Sequence, residues 1–243
     1  MEKVKNKLDL LIETFLLTVL CICLSTLSTV IHPTPEMESS VFLGLMFMRR
    51  LVVVLSFILP ITIFNSYVKG NRNFFKQFKT EKFTRNILTS LVAGVTIFVL
   101  WIASLIFQYS SVPSLTSCFT TNHASKIYGL KFPAVLLFQY VVFEVFNQFM
   151  VAFSEEYLFR GFLQKNLMEV FGCFQGYLVA SVVFCLAHFL NPSYTIYQLF
   201  FEALPGGLIL GYLYYRTKNL TTPVLAHYIG NLLQRVLTPF FVF

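Results

Sequence analysis

Long apolar stretches separated by short polar connections dominate the chain. A helix needs about 20 mostly apolar residues to cross the hydrocarbon core of a bilayer, and at least six stretches qualify. The approximate bounds of the apolar stretches are 8–31, 51–68, 87–107, 133–153, 177–189, 194–215 and 223–243. We therefore predict an all-α fold, a polytopic bundle of six to eight transmembrane helices. The count depends on whether residues 155–171 and 194–204 cross fully, re-enter or lie flat.

Polar or helix-breaking residues interrupt this pattern at three places. Residues 41–48 precede Arg49 and Arg50, which we expect at the outer end of the second span, with 41–48 lying in the membrane interface. Ser154 has the character of a helix N-cap, followed by two acidic residues that suit a first turn. Pro205-Gly206-Gly207 predicts a broken helix, which membranes tolerate where it lines a cavity.

The composition indicates that these apolar stretches lie in a bilayer rather than in the core of a soluble domain. Of 243 residues, 56% are hydrophobic and only 12% are charged, whereas a soluble domain has about 25% charged residues. The sequence therefore predicts one integral membrane domain over 1–243, with the bilayer as its main partner. Within it we expect N-terminal spans without recognisable chemistry over 1–130, and a catalytic core over 131–243 around a buried polar cavity.

The net charge of +7 is explained by membrane orientation rather than by nucleic acid, which we do not expect as a partner. Basic residues concentrate before the first span and in the connection Lys69–Arg85. Because cytoplasmic connections are enriched in Lys and Arg, we expect a cytoplasmic N-terminus. The Ser- and Thr-rich connection Ser110–Lys131 should then lie outside.

Six polar side chains interrupt the C-terminal apolar stretches and form the candidate site. They are Glu155, Glu156, Arg160, His188, His227 and Asn231. Charged side chains at bilayer depth are costly, so they usually pair, face a wet cavity and carry function. Glu144 and Glu202 are two further carboxylates within apolar stretches, and each is also a candidate for a functional role.

These residue types supply what peptide-bond hydrolysis needs: a base, oxyanion donors and a proton for the leaving amine. Glu156 and Arg160 have the helical spacing of an ion pair, so we assign Glu156 to support and Glu155 to the base. A catalytic zinc ion is an open alternative, with Glu155, His188 and His227 as its ligands. The metalloprotease spacing His-Glu-x-x-His is absent.

Three motifs in this order resemble the family of CAAX proteases and bacteriocin-processing intramembrane proteases: Glu155-Glu156-x-x-x-Arg160, Phe184-x-x-x-His188 and His227-x-x-x-Asn231. The resemblance implies an endopeptidase in which Glu155 activates water, Glu156 and Arg160 support it, and His188 helps to hold the water. It also implies that His227 and Asn231 form the oxyanion site. Residues 1–130 show no comparable match.

The resemblance implies a membrane-associated peptide or a lipidated protein as substrate, and the short chain favours a bacterial cell membrane. Two other functions remain open from the sequence. One is a bacteriocin-immunity or scaffolding protein without turnover. The other is a small transporter, for which Glu144 or Glu202 should be essential.

Overall fold

The computed structural model describes residues 7–31, 39–68, 77–78, 83–110, 134–190 and 194–237, and these are almost entirely helical. The helices are α1 (Lys7–Ser25), α2 (Ser39–Ile63), α3 (Phe83–Ser110), α4 (Ala134–Glu156), α5 (Lys165–Phe171), α6 (Cys173–Phe189), α7 (Ile196–Gln198), α8 (Leu204–Thr217) and α9 (Thr221–Leu237). Wide π-helical turns extend α2 over Phe64–Val68 and join α4 to α5 and α7 to α8. The all-α prediction is confirmed, since the described residues contain no strand.

Several helices are long and apolar enough to cross a bilayer. They cover Lys7–Val30, Val41–Tyr67, Thr84–Phe107 and Ile196–Thr217, and α6 is a shorter apolar helix. Large apolar side chains such as Phe15, Leu88 and Phe189 are exposed on their outer faces. An exposed apolar belt is what a lipid-facing surface requires, so the predicted polytopic membrane bundle is confirmed.

The expected start of the second span is wrong. Residues 41–48 do not form a separate interfacial segment, because α2 runs without interruption from Ser39. Arg49 and Arg50 therefore lie well inside the helix rather than at its outer end. Arg50 is retained there because its Nε donates a hydrogen bond to Oδ1 of Asn147 on α4, 3.0 Å away.

The predicted N-cap at Ser154 is also wrong. The chain from Ala134 to Phe171 is continuously helical, through the π-helix Tyr157–Gln164. Ser154 Oγ donates back to the carbonyl oxygens of Met150 and Val151, at 2.8 and 3.1 Å. A serine that bonds to the preceding turn lies within a helix and does not begin one.

The helix is not broken at Pro205-Gly206-Gly207, contrary to the sequence prediction. Pro205 occupies the first turn of α8, where its missing N–H is least costly. The π-helix Leu199–Ala203 precedes it and connects α7 to α8, so residues 196–217 form one helical stretch.

Small residues set the close crossings that shape the site. A Cβ added at Gly211 of α8 would lie 2.7 Å from Ser181 Oγ of α6. One added at Gly94 of α3 would lie 2.7 Å from Ile229 Cβ of α9. Membrane helices use such residues because close backbone approach replaces the hydrophobic drive that lipid removes. These crossings bring α6, α8 and α9 around the π-helical turn that follows Glu156.

Some predictions concern residues outside those described. They include the external placement of Ser110–Lys131, most of the Lys69–Arg85 connection and the end of the last span after residue 237. In the Lys69–Arg85 connection, the structure does describe residues 77 and 78. Their carbonyl oxygens accept hydrogen bonds from Leu220 N and Thr221 Oγ1, at 2.8 and 3.0 Å, beside the start of α9.

Candidate active site

Glu156 and Arg160 form the inner part of the site. Arg160 Nη1 donates to Glu156 Oε1 at 2.9 Å, the pair that the four-residue spacing predicts. Arg160 Nη2 donates to the carbonyl oxygen of Gly207 at 3.1 Å, and the guanidinium lies 4.2 Å from the centre of the Phe184 ring. Both charged side chains are almost completely buried. The arginine is thus fixed on three sides.

His227 reaches the same carboxylate from α9. Its Nδ1 lies 2.8 Å from Glu156 Oε1, which also accepts from Arg160. A carboxylate oxygen in an ion pair with arginine accepts hydrogen bonds, so Nδ1 of His227 is the protonated nitrogen. In the neutral ring, Nε2 then carries a lone pair. Glu156 therefore orients the histidine as well as the arginine.

His188 is fixed by a different set of contacts. Its Nδ1 lies 2.9 Å from the carbonyl oxygen of Phe184, one turn earlier on α6. A carbonyl oxygen only accepts, so Nδ1 carries the proton and Nε2 of the neutral ring is free to accept. The ring centre lies 4.5 Å from that of Phe184 and 5.1 Å from that of Tyr194.

Glu155 faces both Nε2 atoms. Its Oε2 lies 4.0 Å from Nε2 of His188 and 3.9 Å from Nε2 of His227, and it has no hydrogen-bond partner among the described residues. These gaps are too long for direct hydrogen bonds. One water molecule bridges such a gap with two hydrogen bonds of about 2.8 Å at an angle of about 90°. The carboxylate of Glu155 and the two imidazole rings thus leave a space between them that fits one water molecule.

A cavity of about 170 Å³ reaches this place from α1, α2 and α6. Glu155 and His188 supply its charged and titratable surface. The other lining residues are mostly apolar: Ile22, Ser25, Val53, Phe57, Phe159 and Ala187. The side chain of Glu155 keeps 17% of its surface exposed, whereas Glu156 is fully buried. Neighbouring glutamates on one helix therefore meet two different environments.

The candidate zinc ligands have suitable donor types but do not have the spacing of a zinc site. Glu155, His188 and His227 supply a carboxylate and two free Nε2 atoms, which is a usual catalytic donor set. Ligands about 2.1 Å from a tetrahedral zinc lie roughly 3.4 Å from each other, and the observed separations are 3.9 and 4.0 Å. Nor do the described residues contain a group of three His, Cys, Asp or Glu at metal-binding spacing. In this arrangement the site does not fit zinc.

The structure brings together five of the six predicted residues: Glu155, Glu156, Arg160, His188 and His227. Asn231 lies one turn after His227 on α9 and is half-buried, but no described hydrogen bond links it to the other five. Its predicted role at the oxyanion stays a prediction.

Among the described residues, no hydrogen bond joins either of the two additional carboxylates to this centre, although the charges of Glu202 and His227 act on each other. Glu144 Oε2 accepts hydrogen bonds from Asn147 and Gln148 on its own helix, at 3.0 and 2.6 Å. Glu202 lies in the π-helical turn before α8 and interacts with Gln234 and Arg235 of α9. A functional role for either one stays open.

Two elements of the site were missed in the sequence. The carbonyl oxygen of Gly207 accepts from both Arg160 and Ser181 Oγ, each at 3.1 Å. Gln164 Nε2 similarly donates to the carbonyl of Gly211, at 2.8 Å. Backbone acceptors have no sequence signature, although the four-residue spacing of Gly207 and Gly211 is a usable signal for close helix packing.

Comparison with known proteins connects this geometry to a family. Residues 136–233 match the family model described as type II CAAX prenyl endopeptidase Rce1-like. This segment includes all three motifs, so the predicted resemblance is confirmed.

A curated relative also matches part of the chain. It is the uncharacterized protein YpbD of Bacillus subtilis (strain 168), 35% identical over 85 residues. The alignment covers 35% of this chain and 40% of YpbD. No solved structure matches the chain.

Proposed function

Because residues 136–233 match the Rce1-like type II CAAX prenyl endopeptidases, we propose that this protein is an intramembrane endopeptidase that uses a glutamate-activated water. The observation that carries the proposal is the position of Glu155. Its Oε2 faces the Nε2 atoms of His188 and His227 at 4.0 and 3.9 Å, with no other partner among the described residues. Glu156 is instead fully buried, and its Oε1 accepts hydrogen bonds from Arg160 and His227.

In the proposed reaction, Glu155 accepts a proton from the water as the water oxygen forms a bond to the scissile carbonyl carbon. The second O–H of the water donates to Nε2 of one of the two histidines that flank it, His188 or His227. Once the C–N bond breaks, Glu155 returns the proton to the leaving nitrogen. Positioned acid–base groups of this kind contribute about 10²- to 10⁴-fold to a rate. One water molecule is consumed for each peptide bond that is hydrolysed, and no other reactant is needed.

We assign stabilisation of the oxyanion to the Asn231 amide, with His227 beside it. His227 Nδ1 already donates to Glu156, so this ring donates to an oxyanion only when Nε2 is also protonated. Asn231 needs no such change, because an amide always presents N–H donors. Asn231 is therefore the principal donor of the proposal.

The cavity supports a membrane-associated substrate. Its walls are largely apolar, and it joins the α1, α2 and α6 side of the bundle to Glu155 and His188. Water would not favour such walls, whereas an apolar segment of a peptide or lipidated protein would. We propose that the substrate enters laterally from the bilayer.

The proposal is tested with purified protein in liposomes, incubated with a library of apolar peptides and read by mass spectrometry. We expect new peptide termini with the wild type and none with Glu155→Gln. A parallel incubation with chelator should leave cleavage unchanged. Products that survive Glu155→Gln would refute the role of Glu155. If the wild type yields no products under these conditions, the endopeptidase proposal fails.

We also propose a cytoplasmic N-terminus. The proposal rests on the excess of Lys and Arg in the connections assigned to the cytoplasm. Arg50 does not count against it, because this residue is bonded to Asn147 inside the bundle and is not part of a connection. Cysteines placed at 72 and 82 should react with a membrane-impermeant reagent only from the cytoplasmic side. Labelling from outside alone would reverse the orientation.

A further inference from the structure

The guanidinium of Arg50 lies inside the bundle with most of its donors unused. Nε donates to Asn147 Oδ1 at 3.0 Å. This is its one hydrogen bond among the residues that the structure describes, and the two terminal NH2 groups have no acceptor there. Charged groups at bilayer depth are rare without a partner or a function. Arg50 therefore requires an explanation beyond packing.

The partner that holds Arg50 is itself fixed. Asn147 Nδ2 donates to Glu144 Oε2 at 3.0 Å, and Gln148 Nε2 donates to the same oxygen at 2.6 Å. All three of these α4 side chains are less than 5% exposed. The amide of Asn147 thus has one orientation, with its oxygen toward Arg50. The cluster holds Nε in place and leaves the outer edge of the guanidinium free.

A purely structural role would predict a different geometry. An arginine that neutralises a carboxylate usually bonds to it directly, often through two parallel N–H donors. Here Asn147 stands between Arg50 and Glu144. The charges of Glu144 and Glu155 both act on Arg50, yet neither carboxylate takes its terminal donors. This arrangement suits the binding of an anion from outside the chain.

The anion would lie on the route to the proposed active site. Arg50, Val53 and Phe57 are at positions i, i+3 and i+7 of α2, which share one helix face. Val53 and Phe57 line the cavity that ends at Glu155 and His188. Arg50 thus lies one turn beyond the cavity lining on the same face of α2, and the charge of Glu155 still acts on it.

We propose that Arg50 is a specificity-determining residue that binds the C-terminal carboxylate of the peptide substrate. The planar guanidinium fork matches the two oxygens of a carboxylate. A lipid phosphate has related chemistry, but Arg50 lies 11 residues after the start of α2 at Ser39, about 16 Å along the helix. That depth favours a peptide terminus over a headgroup. The inference rests on the proposed endopeptidase function.

The test compares one cleaved library peptide made as the free acid and as the C-terminal amide. For the wild type we expect the amide to raise KM by about 10- to 100-fold, the range for losing a hydrogen bond to a charged group, with kcat little changed. Arg50→Gln should process both forms with the same high KM. The matched control is Arg49→Gln, which removes the neighbouring charge and should keep the preference for the acid.

Equal KM values for acid and amide in the wild type would overturn the inference, and so would a preference that survives Arg50→Gln. Should Arg50→Gln fail to fold, Arg50→Lys retains the positive charge but lacks the fork. It is expected to lose most of the discrimination, and full retention would again contradict the proposal.

A binding arm separates this inference from the proposed function. Glu155→Gln protein in phosphatidylcholine vesicles is mixed with N-acetylated apolar tetrapeptides, as acids or amides, and its Tm is measured. Acid-selective stabilisation that Arg50→Gln removes supports the inference even if no peptide is ever cleaved. Arg50-dependent stabilisation by added phosphatidylglycerol, without any acid-selective effect of the peptides, would assign the anion to lipid and overturn it.

Discussion

The inner and outer halves of the site use the same residue types in opposite ways. In the inner half, Glu156 is buried and bonded to Arg160 and His227, and Arg160 continues to the Gly207 carbonyl. In the outer half, Glu155 borders a cavity, and its Oε2 has no partner among the described residues. Adjacent positions on a helix point about 100° apart, since there are 3.6 residues per turn. Oε2 of Glu156 also has no partner among the described residues, so the two carboxylates differ in burial and in the ion pair that Glu156 makes through Oε1, rather than in the number of unused oxygens. Burial and pairing suit the supporting role proposed for Glu156, and access to the cavity suits the reactive role proposed for Glu155.

The largest effect should come from Glu156→Gln. The substitution leaves the buried Arg160 without its counter-charge, and breaking a buried pair in this way costs about 3–5 kcal/mol. We expect both a clearly lower Tm in detergent and loss of peptide cleavage. Glu169→Gln, at an exposed position of α5, serves as the control and should match the wild type. A Glu156→Gln protein with wild-type Tm would show that the inner half is not a structural support.

Glu155→Gln should abolish cleavage while leaving Tm close to that of the wild type. An amide cannot accept the proton from water, yet no described hydrogen bond to Oε2 is lost. Turnover and Tm are measured side by side with those of Glu156→Gln. An active Glu155→Gln enzyme together with a stable, inactive Glu156→Gln enzyme would reverse the assignment of the two halves.

A smaller effect is expected from Asn231→Ala. Removing one oxyanion donor costs roughly 100-fold or more in kcat, and the half-buried position should leave the fold intact. The measurement is kcat on the best library peptide, with Tm recorded on the same sample. Cleavage at the wild-type rate would assign Asn231 to packing and leave the oxyanion without its proposed donor.

The smallest effect is expected at the crossing of α6 and α8, which supports the inner half of the site. In Gly211→Ala the new Cβ would approach Ser181 Oγ to 2.7 Å and the Tyr177 ring to 3.0 Å. Such overpacking costs about 1–3 kcal/mol, so Tm should fall. Gly44→Ala is the matched control, because a Cβ there meets nothing within 4 Å. If both variants have the same Tm, the crossing of α6 and α8 is looser than described.

The sequence predicted those features that depend on local patterns. Apolar runs of membrane-spanning length identified the helices, and the four-residue spacing predicted the pair of Glu156 and Arg160. It did not predict how far the helices extend through Arg50, Ser154 and Pro205. These residues are accommodated by a partner on another helix, by a carbonyl in the preceding turn, and by a π-helical turn, none of which a local pattern reveals.

The assembly of the site depended on contacts between distant segments. His227 is 71 residues from Glu156, and nothing in either local sequence specifies that they meet. The cost of polar groups at bilayer depth and the joint resemblance of three motifs brought them into one hypothesis. The role of Arg50 was misread for the same reason. Its charge suggested a helix end, whereas its hydrogen bond to Asn147, 97 residues away, places it inside the bundle.

The Gly207 carbonyl has a consequence for reading genetic variation in this protein. One backbone oxygen of α8 accepts from Arg160, which follows α4, and from Ser181 of α6, so two other segments of the site meet α8 there. Every amino acid carries that oxygen, and no codon change removes it. A saturation scan at position 207 will therefore report only on side-chain space, since a Cβ there would lie 3.1 Å from Phe184. The scan will identify Gly207 as a residue required for packing, and it will not detect the two hydrogen bonds that its carbonyl oxygen accepts.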